Sequence, residues 1–241
     1  MTRDGESAEV GILRWLGYTA LVLLVLTVAG YYWFFVDSRV PSGSYAIDMS
    51  EVRKLADTIA GDKPVEVRQE HIMSFQMPFT AAVSGGGWGN IDVPVYSYQV
   101  AYADHTIIID TAVSGADSKT DPSFDKAAYD RMQAAMTTAS DIVITHEHPD
   151  HIGGLVDHPK LKEVLAHTHL TQEQVDHPEK MFGLKFPDGA LTGYQSLTYN
   201  RYHALAPGIV LISAPGHTPG SQMVYVKTAS GQEILFLGDV A

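Results

Sequence analysis

The chain has 241 residues and a formal net charge of -12, enough for one good core and too few for two large ones once a membrane segment is set aside. That acidic balance supplies no basic field for a polyanion, so no nucleic-acid partner is expected. With no cysteine, neither a disulfide framework nor a thiolate metal site can form, and any metal falls to His, Asp or Glu.

Residues 1–14 read as a short tail containing Arg3, Asp4, Glu6, Glu9 and Arg14. Residues 15–36 are an uncharged, mostly apolar run; as a helix it reaches about 33 Å, against a hydrocarbon core of about 30 Å. Trp15 and Tyr18 at one end and Tyr31, Tyr32 and Trp33 at the other put amphipathic rings where two membrane interfaces would lie. A cleaved signal peptide is the first alternative, since Thr27-Val28-Ala29 ends in a small residue; a buried core helix is the second. The tail lacks the net positive charge of a signal peptide and bulky aromatics follow the small residue, so a single-pass anchor is the preferred reading. Arg3, Arg14 and the terminal amine nearly balance Arg39, Arg53 and Lys54 across the span; the expected orientation is N-terminus inside, with the catalytic body on the outer, extracytoplasmic side.

Residues 37–64 read as a linker, turning at Pro41, Ser42, Gly43 and Ser44, followed by a short helix. Asp48 with Glu51 forms a capping-box pattern, and Val52, Leu55, Ala56 and Ile59 fall at helical spacing. Residues 65–241 form the main domain. Segments 93–103 and 105–111 are rich in Val, Ile and Tyr and predict strands. Between the first of these and the preceding sheet region, 84–90 (Ser-Gly-Gly-Gly-Trp-Gly-Asn) reads as a flexible hairpin connection in preference to a mobile flap carrying Trp88. Residues 124–139 predict a helix with Ser123 as N-cap and Phe124, Ala127, Ala128, Met132 and Ala135 on one side. Further strands are predicted at 141–145, 209–213, 223–227 and 233–237.

The strand at 141–145 delivers Thr145-His146-Glu147-His148-Pro149-Asp150-His151. Three histidines and an aspartate lie within six residues of a strand end, where a loop can aim several side chains at one place from a rigid base. Imidazole and carboxylate donors suit zinc or a similar divalent ion. A merely solvated polar loop would explain one or two of these histidines, not this pattern.

The segment from Thr145 to the Gly153-Gly154 pair resembles the signature loop of the metallo-β-lactamase superfamily. Ser213-Ala214-Pro215-Gly216-His217-Thr218-Pro219-Gly220 resembles the segment carrying the next histidine ligand, and Phe236-Leu237-Gly238-Asp239 resembles the strand end carrying a bridging aspartate. The resemblance implies a mixed α/β, αββα sandwich behind a single transmembrane helix. It further implies two divalent ions, with zinc the first choice: His146, His148 and His217 would hold the first, Asp150 and His151 the second, and Asp239 would bridge. Metal-bound water, with a pKa of about 7, would supply hydroxide for attack on a carbonyl, with Asp150 orienting it and shuttling the proton. Asp110, at the end of Ile107-Ile108-Ile109, resembles an early strand-end aspartate that supports the ligand loop.

An aspartate at 239 and the lack of cysteine lean away from true β-lactamases and towards the glyoxalase II, lactonase and phosphodiesterase branches, and within these towards the lactonase-like arm, whose substrates are cyclic or linear esters. Thioesterase and phosphodiesterase activities of the same superfamily are the alternatives. Members normally continue past the bridging aspartate with further elements and a last histidine for the second ion, so the resemblance also implies that this is a fragment lacking the C-terminal part of the fold. An inactive, membrane-tethered metal-binding fragment is the reading from a different class. His167 and His169 read as supporting or surface residues; His71, His105, His158, His177 and His203 carry no assigned role.

Overall fold

The computed structural model describes residues 3–33, 46–83 and 87–240. They fall into two units, one of Met1–Tyr45 with Gln76–Val93 and one of Ala46–Phe75 with Pro94–Ala241.

In the first unit, helix α1 spans Arg3–Tyr31. Its Gly11–Tyr31 stretch of 21 residues has a mean hydropathy of 1.9 and is nowhere buried, giving about 32 Å of apolar helix. The hydroxyls that interrupt it are satisfied along the helix, Thr19 donating to Trp15 O at 2.9 Å and Thr27 to Leu23 O at 2.8 Å, as an apolar solvent requires. Helix starts well before residue 15, and residues 34–36 of the expected span lie outside the described residues. The same unit holds a hairpin end where Pro78 closes strand β1 (Glu66–Pro78), one turn of helix α3 (Phe79–Ala82) follows, and strand β2 (Asn90–Ala101) begins. Ser84, Gly85 and Gly86 lie outside the described residues, and Trp88 is exposed.

The second unit begins with helix α2 (Met49–Leu55), whose N-cap Asp48 accepts from the amides of Ser50 and Glu51. The helix stops before Ile59, which is exposed and not on its apolar face as its spacing had predicted. Strand β3 (Thr106–Ile109) pairs antiparallel with β2; helices α4 (Gly115–Ser118) and α5 (Lys126–Thr138) lead to strand β4 (Asp141–Val143), parallel to β3. Helix α5 starts two residues later than predicted. Its cap is Asp125, which accepts from the Ala128 amide; Ser123 instead donates to Ser74 O, and Phe124 packs on Tyr129 from outside the helix.

Helices α6 (Pro149–Val156) and α7 (Leu161–Leu165) return the chain to strand β5 (Thr168–His169), parallel to β4, and helix α8 (Gln172–Asp176) follows. The first sheet has the order β1-β2-β3-β4-β5. Strands β6 (Tyr202–Ala206), β7 (Ile209–Ser213), β8 (Gln222–Lys227) and β9 (Glu233–Phe236) form an antiparallel second sheet in sequence order.

The alternation of side chains along these strands builds the layers. Ile107, Ile109 and Val143 face Ile209, Leu211, Val224 and Val226 between the two sheets. Ile108, Ile142 and Ile144 point the other way, onto Met132 and Met136 of α5 and Ile152 and Leu155 of α6. Val210, Ile212 and Tyr225 take the far face of the second sheet, covered by Val52 and Ala56. The result is the expected αββα order, and each buried aliphatic side chain contributes about 1.5–3 kcal/mol to it.

Candidate metal centre

The chain leaves β4 at Val143 and bends through Thr145, Glu147 and His148, and there a helix starts. His148 is the N-cap of α6 and Pro149 takes its first position, where a missing amide hydrogen costs nothing. The histidine motif is therefore half helix rather than a loop throughout: Asp150 and His151 sit in the first turn of α6, where a negative side chain is favoured by the exposed amides.

Helix α6 is pressed directly onto the backbone that follows β3. The Thr111 amide donates to His151 O at 2.7 Å, and Gly154 N–H donates to Thr111 O at 3.1 Å. A Cβ on Gly153 would run into the backbone of Val113 and Ser114, and one on Gly154 into Thr111 O. That is the physical reason for the glycine pair. Strand β3 ends short of the predicted Thr111 because Asp110 and Ala112 adopt φ values of 58° and 54°, a left-handed turn that lets Asp110 face Thr145.

Asp110 is buried and spends both oxygens on the motif. Oδ1 accepts from the Thr145 amide at 2.6 Å; Oδ2 accepts from the Thr145 hydroxyl at 2.8 Å and lies 2.8 Å from His151 Nδ1. The supporting position foreseen for Asp110 is the one it occupies.

All six residues expected to bind metal come together. One ligand atom each from His146, His148, His217 and Asp239 falls within 4.8 Å of the others, as do atoms of Asp150, His151 and Asp239. The two groups share Asp239. Its Oδ2 lies 3.8 Å from His146 Nε2 and 3.5 Å from His217 Nε2, while Oδ1 lies 3.4 Å from His151 Nε2. Gly238 turns the chain there with φ 57°, and a Cβ on it would meet the Thr145 side chain at 2.9 Å.

The donors fit divalent metal. His146 is almost fully buried, its Nδ1 is 3.2 Å from the Thr145 hydroxyl, and its Nε2 has no hydrogen-bond partner among the described residues. An orphan of this kind costs roughly 1–3 kcal/mol, a cost that a coordinated ion removes. Burial, with the charge of His151 next, holds the His146 imidazole well below its ordinary value; burial and His217 do the same to His148. Both rings are thus held in the neutral form that could bind a metal. Burial also pulls His151 down, but Asp110, Asp239 and Asp150 outweigh it and raise that ring. The hydrogen bond from His151, followed by its charge, keeps Asp239 depressed.

His169 and His167 do not join the cluster: His169 Nε2 is 2.7 Å from Asp141 Oδ1 in the first sheet, and His167 Nε2 bonds Met136 O at 3.2 Å. Sequence reasoning missed two residues at the site. Glu147, between two of the clustered histidines, points away from them and bonds the 217–220 turn. Phe182 sits beside His148 with ring centroids 5.0 Å apart, 74% exposed on a backbone of φ 47°. Nothing local marks either: Glu147 stands in a polar run from Thr145 to His151, and the partners that bury it are 71 and 73 residues away.

Residues 90–241 match the model of the metallo-beta-lactamase superfamily. Among solved structures, a quorum-quenching N-acyl homoserine lactone lactonase superposes with a TM-score of 0.59 at 16% identity, covering 73% of this chain and 74% of that one. An N-acyl homoserine lactone hydrolase, with the product N-hexanoyl-L-homoserine bound at its catalytic metal centre, gives 0.57 at 15% identity, with 72% and 74% covered. A probable metal-dependent hydrolase from Staphylococcus aureus gives 0.55 at 14%, with 74% of each chain covered. At such identities the likeness is one of fold. No curated protein matches. The family match spans well over half of the chain, and the chain belongs to the metallo-beta-lactamase superfamily.

Proposed function

We propose that this protein is a membrane-anchored hydrolase that opens a small ester or lactone at a centre for two divalent ions, zinc first among them. The observation that carries the reading is the pair of donor groups sharing Asp239. His146, His148 and His217 would hold one ion and Asp150 and His151 the other, with Asp239 on both; ions so held would supply activated water and polarise the substrate carbonyl. The lean towards a lactone is supported by the fold neighbours, which are N-acyl homoserine lactone lactonases.

The protein's own groups have distinct tasks in this scheme. His146 keeps its buried Nε2 free for coordination because Thr145 occupies the other ring nitrogen. Asp110 holds His151 by Nδ1 so that Nε2 faces Asp150 and Asp239. Asp150 Oδ2, 3.6 Å from His151 Nε2, takes the proton as the oxygen of water bonds to the acyl carbon. It returns that proton to the alkoxide oxygen when the ester C–O bond breaks. Phe182 offers an exposed apolar wall beside His148 for the carbon chain of the substrate.

Helix α1 would tether this body to a bilayer through Gly11–Tyr31, with the body on the outer face. Carbonate extraction of membranes holding the full chain should leave it in the pellet, and protease added to intact cells should reach the body. A panel of lactone, thioester, β-lactam and bis-nitrophenyl phosphate substrates tests the chemistry: lactone opening should dominate and stop on chelation. Preference for the phosphodiester or thioester would replace the lactone assignment, and turnover indifferent to chelation would remove the metal one.

A further inference from the structure

Glu147 stands between His146 and His148 in sequence yet takes no part in the donor cluster. It is fully buried, at 0% exposure. Oε2 accepts from the Thr218 hydroxyl at 2.8 Å and Oε1 accepts from the Gly220 amide at 3.1 Å. Thr218 directly follows His217 and is itself buried; its amide donates to Ser221 Oγ at 3.0 Å, and its hydroxyl lies 2.9 Å from the same oxygen.

The approach is close enough to require glycine at 220. A Cβ there would collide with Gln174 and stand 2.7 Å from Glu147 Oε2. Around this contact, Gln174 Nε2 donates to Ile144 O at 2.9 Å and Gly220 O at 3.0 Å, and Gln222 Nε2 donates to Ile144 O at 2.8 Å. The end of β4 and the turn before β8 are thus stitched together by buried polar groups with Glu147 at the tip nearest the histidines.

Glu147 adds a side chain of the histidine motif itself to the bonds that hold this turn, beside those from Gln174 to Gly220 O and from the Ala214 amide to Ser221 O. His217 and Gly216 are among its exposed residues, and no atom lies within 4 Å of where a Gly216 Cβ would be. His217 Nε2 nevertheless stands 3.0 Å from His148 Nδ1. Glu147 ties the residue after His217 to the residue between His146 and His148, so the three rings are located relative to one another through it.

We infer that Glu147 is a positioning residue that sets His217 against His146 and His148, acting through Thr218 and Gly220. The inference rests on the metal-centre reading above. It differs from a packing role because the geometry of the ligands, and not only the stability of the chain, depends on it.

The test is a zinc titration of the full-length chain in detergent against a chromophoric chelator, with thermal unfolding followed in parallel. Glu147→Ala should weaken zinc binding about 10- to 100-fold, the scale at which outer partners of ligands act. Glu147→Gln should stay within about threefold of wild type. Its amide oxygen can still accept from Gly220, while its NH2 donates to a Thr218 hydroxyl that has rotated to donate to Ser221. Met136→Ala, in the core under α5 and remote from the turn, should lose stability and keep its zinc affinity. If Glu147→Ala does not fold, Thr218→Val carries the test, with an expected loss of about tenfold.

Wild-type affinity in Glu147→Ala or Thr218→Val would overturn the inference. So would a loss of affinity in Met136→Ala that tracks unfolding temperature as closely as in Glu147→Ala. Failure of the wild-type chain itself to bind zinc would instead remove the metal centre, and this role with it.

Discussion

Asp110 Oδ2 lies 2.8 Å from His151 Nδ1, which fixes the ring proton on that nitrogen and leaves Nε2 facing Asp150 and Asp239. The same carboxyl group holds the Thr145 amide and hydroxyl, so one buried side chain orients His151 and the strand exit that leads to His146 and His148. Asp110→Asn keeps the size and tolerates the left-handed backbone, but its NH2 cannot accept these donors. Zinc at the Asp150, His151 and Asp239 group should bind about 10- to 100-fold more weakly, measured by equilibrium dialysis. Undiminished affinity would show that His151 is oriented by something else.

The glycine pair on α6 gives a test that is read as stability alone. A methyl group at 153 or 154 would push α6 off the Thr111–Ser114 backbone, and rigid backbone cannot yield as a side chain can. Gly153→Ala and Gly154→Ala should each lose about 3 kcal/mol or more, at or beyond the upper end for overpacked sites. Urea denaturation that gave values within 0.5 kcal/mol of wild type, roughly the range of neutral surface changes, would contradict the packing described for α6.

Buried His158 supplies a pH dependence remote from the metal centre. Its Nε2 donates to Gln133 O at 3.1 Å and its Nδ1 accepts from the Lys160 amide at 3.0 Å, a pattern only the neutral ring can make. Burial, foremost, holds it below its ordinary value of 6.5. The unfolded chain therefore takes up the proton first: the stability is complete above about 6.5 and drains as the pH falls from there towards the lower folded value. His158→Gln should lessen the acid slope below about pH 6.5, by up to about 1.4 kcal/mol per pH unit. Superimposable slopes in the two proteins would mean that His158 does not titrate on unfolding.

Much of this was legible before the structure because the decisive residues are tied to local backbone. A strand end followed by His146, His148, Asp150 and His151 needs no long-range information, and the unbroken apolar runs at 107–109 and 209–212 suit strands buried on both faces. Boundaries were less readable. The capping role passed from Ser123 to Asp125 because the Ser123 hydroxyl bonds Ser74, 49 residues away. Strand β3 stopped early because Asp110 turns left-handed to meet Thr145, a tertiary demand that propensity does not record. Glu147 went unread for the same reason: its partners, Thr218 and Gly220, are 71 and 73 residues distant, and a glutamate in a polar motif carries no sign of being buried. The helical start of α6 was hidden by its eight residues containing two glycines, which lower helix propensity while permitting the contact that holds it.

The central claim is that two ions share Asp239, and the most direct measurement is the zinc retained per chain by wild type and by Asp239→Asn, read by elemental analysis after dialysis at a fixed free-zinc concentration. Close to two ions are expected in wild type, and both should be weakened in the variant by more than the roughly 10- to 100-fold that loss of an outer partner costs. A wild-type chain without zinc, or an Asp239→Asn chain that keeps the wild-type content, would contradict the account.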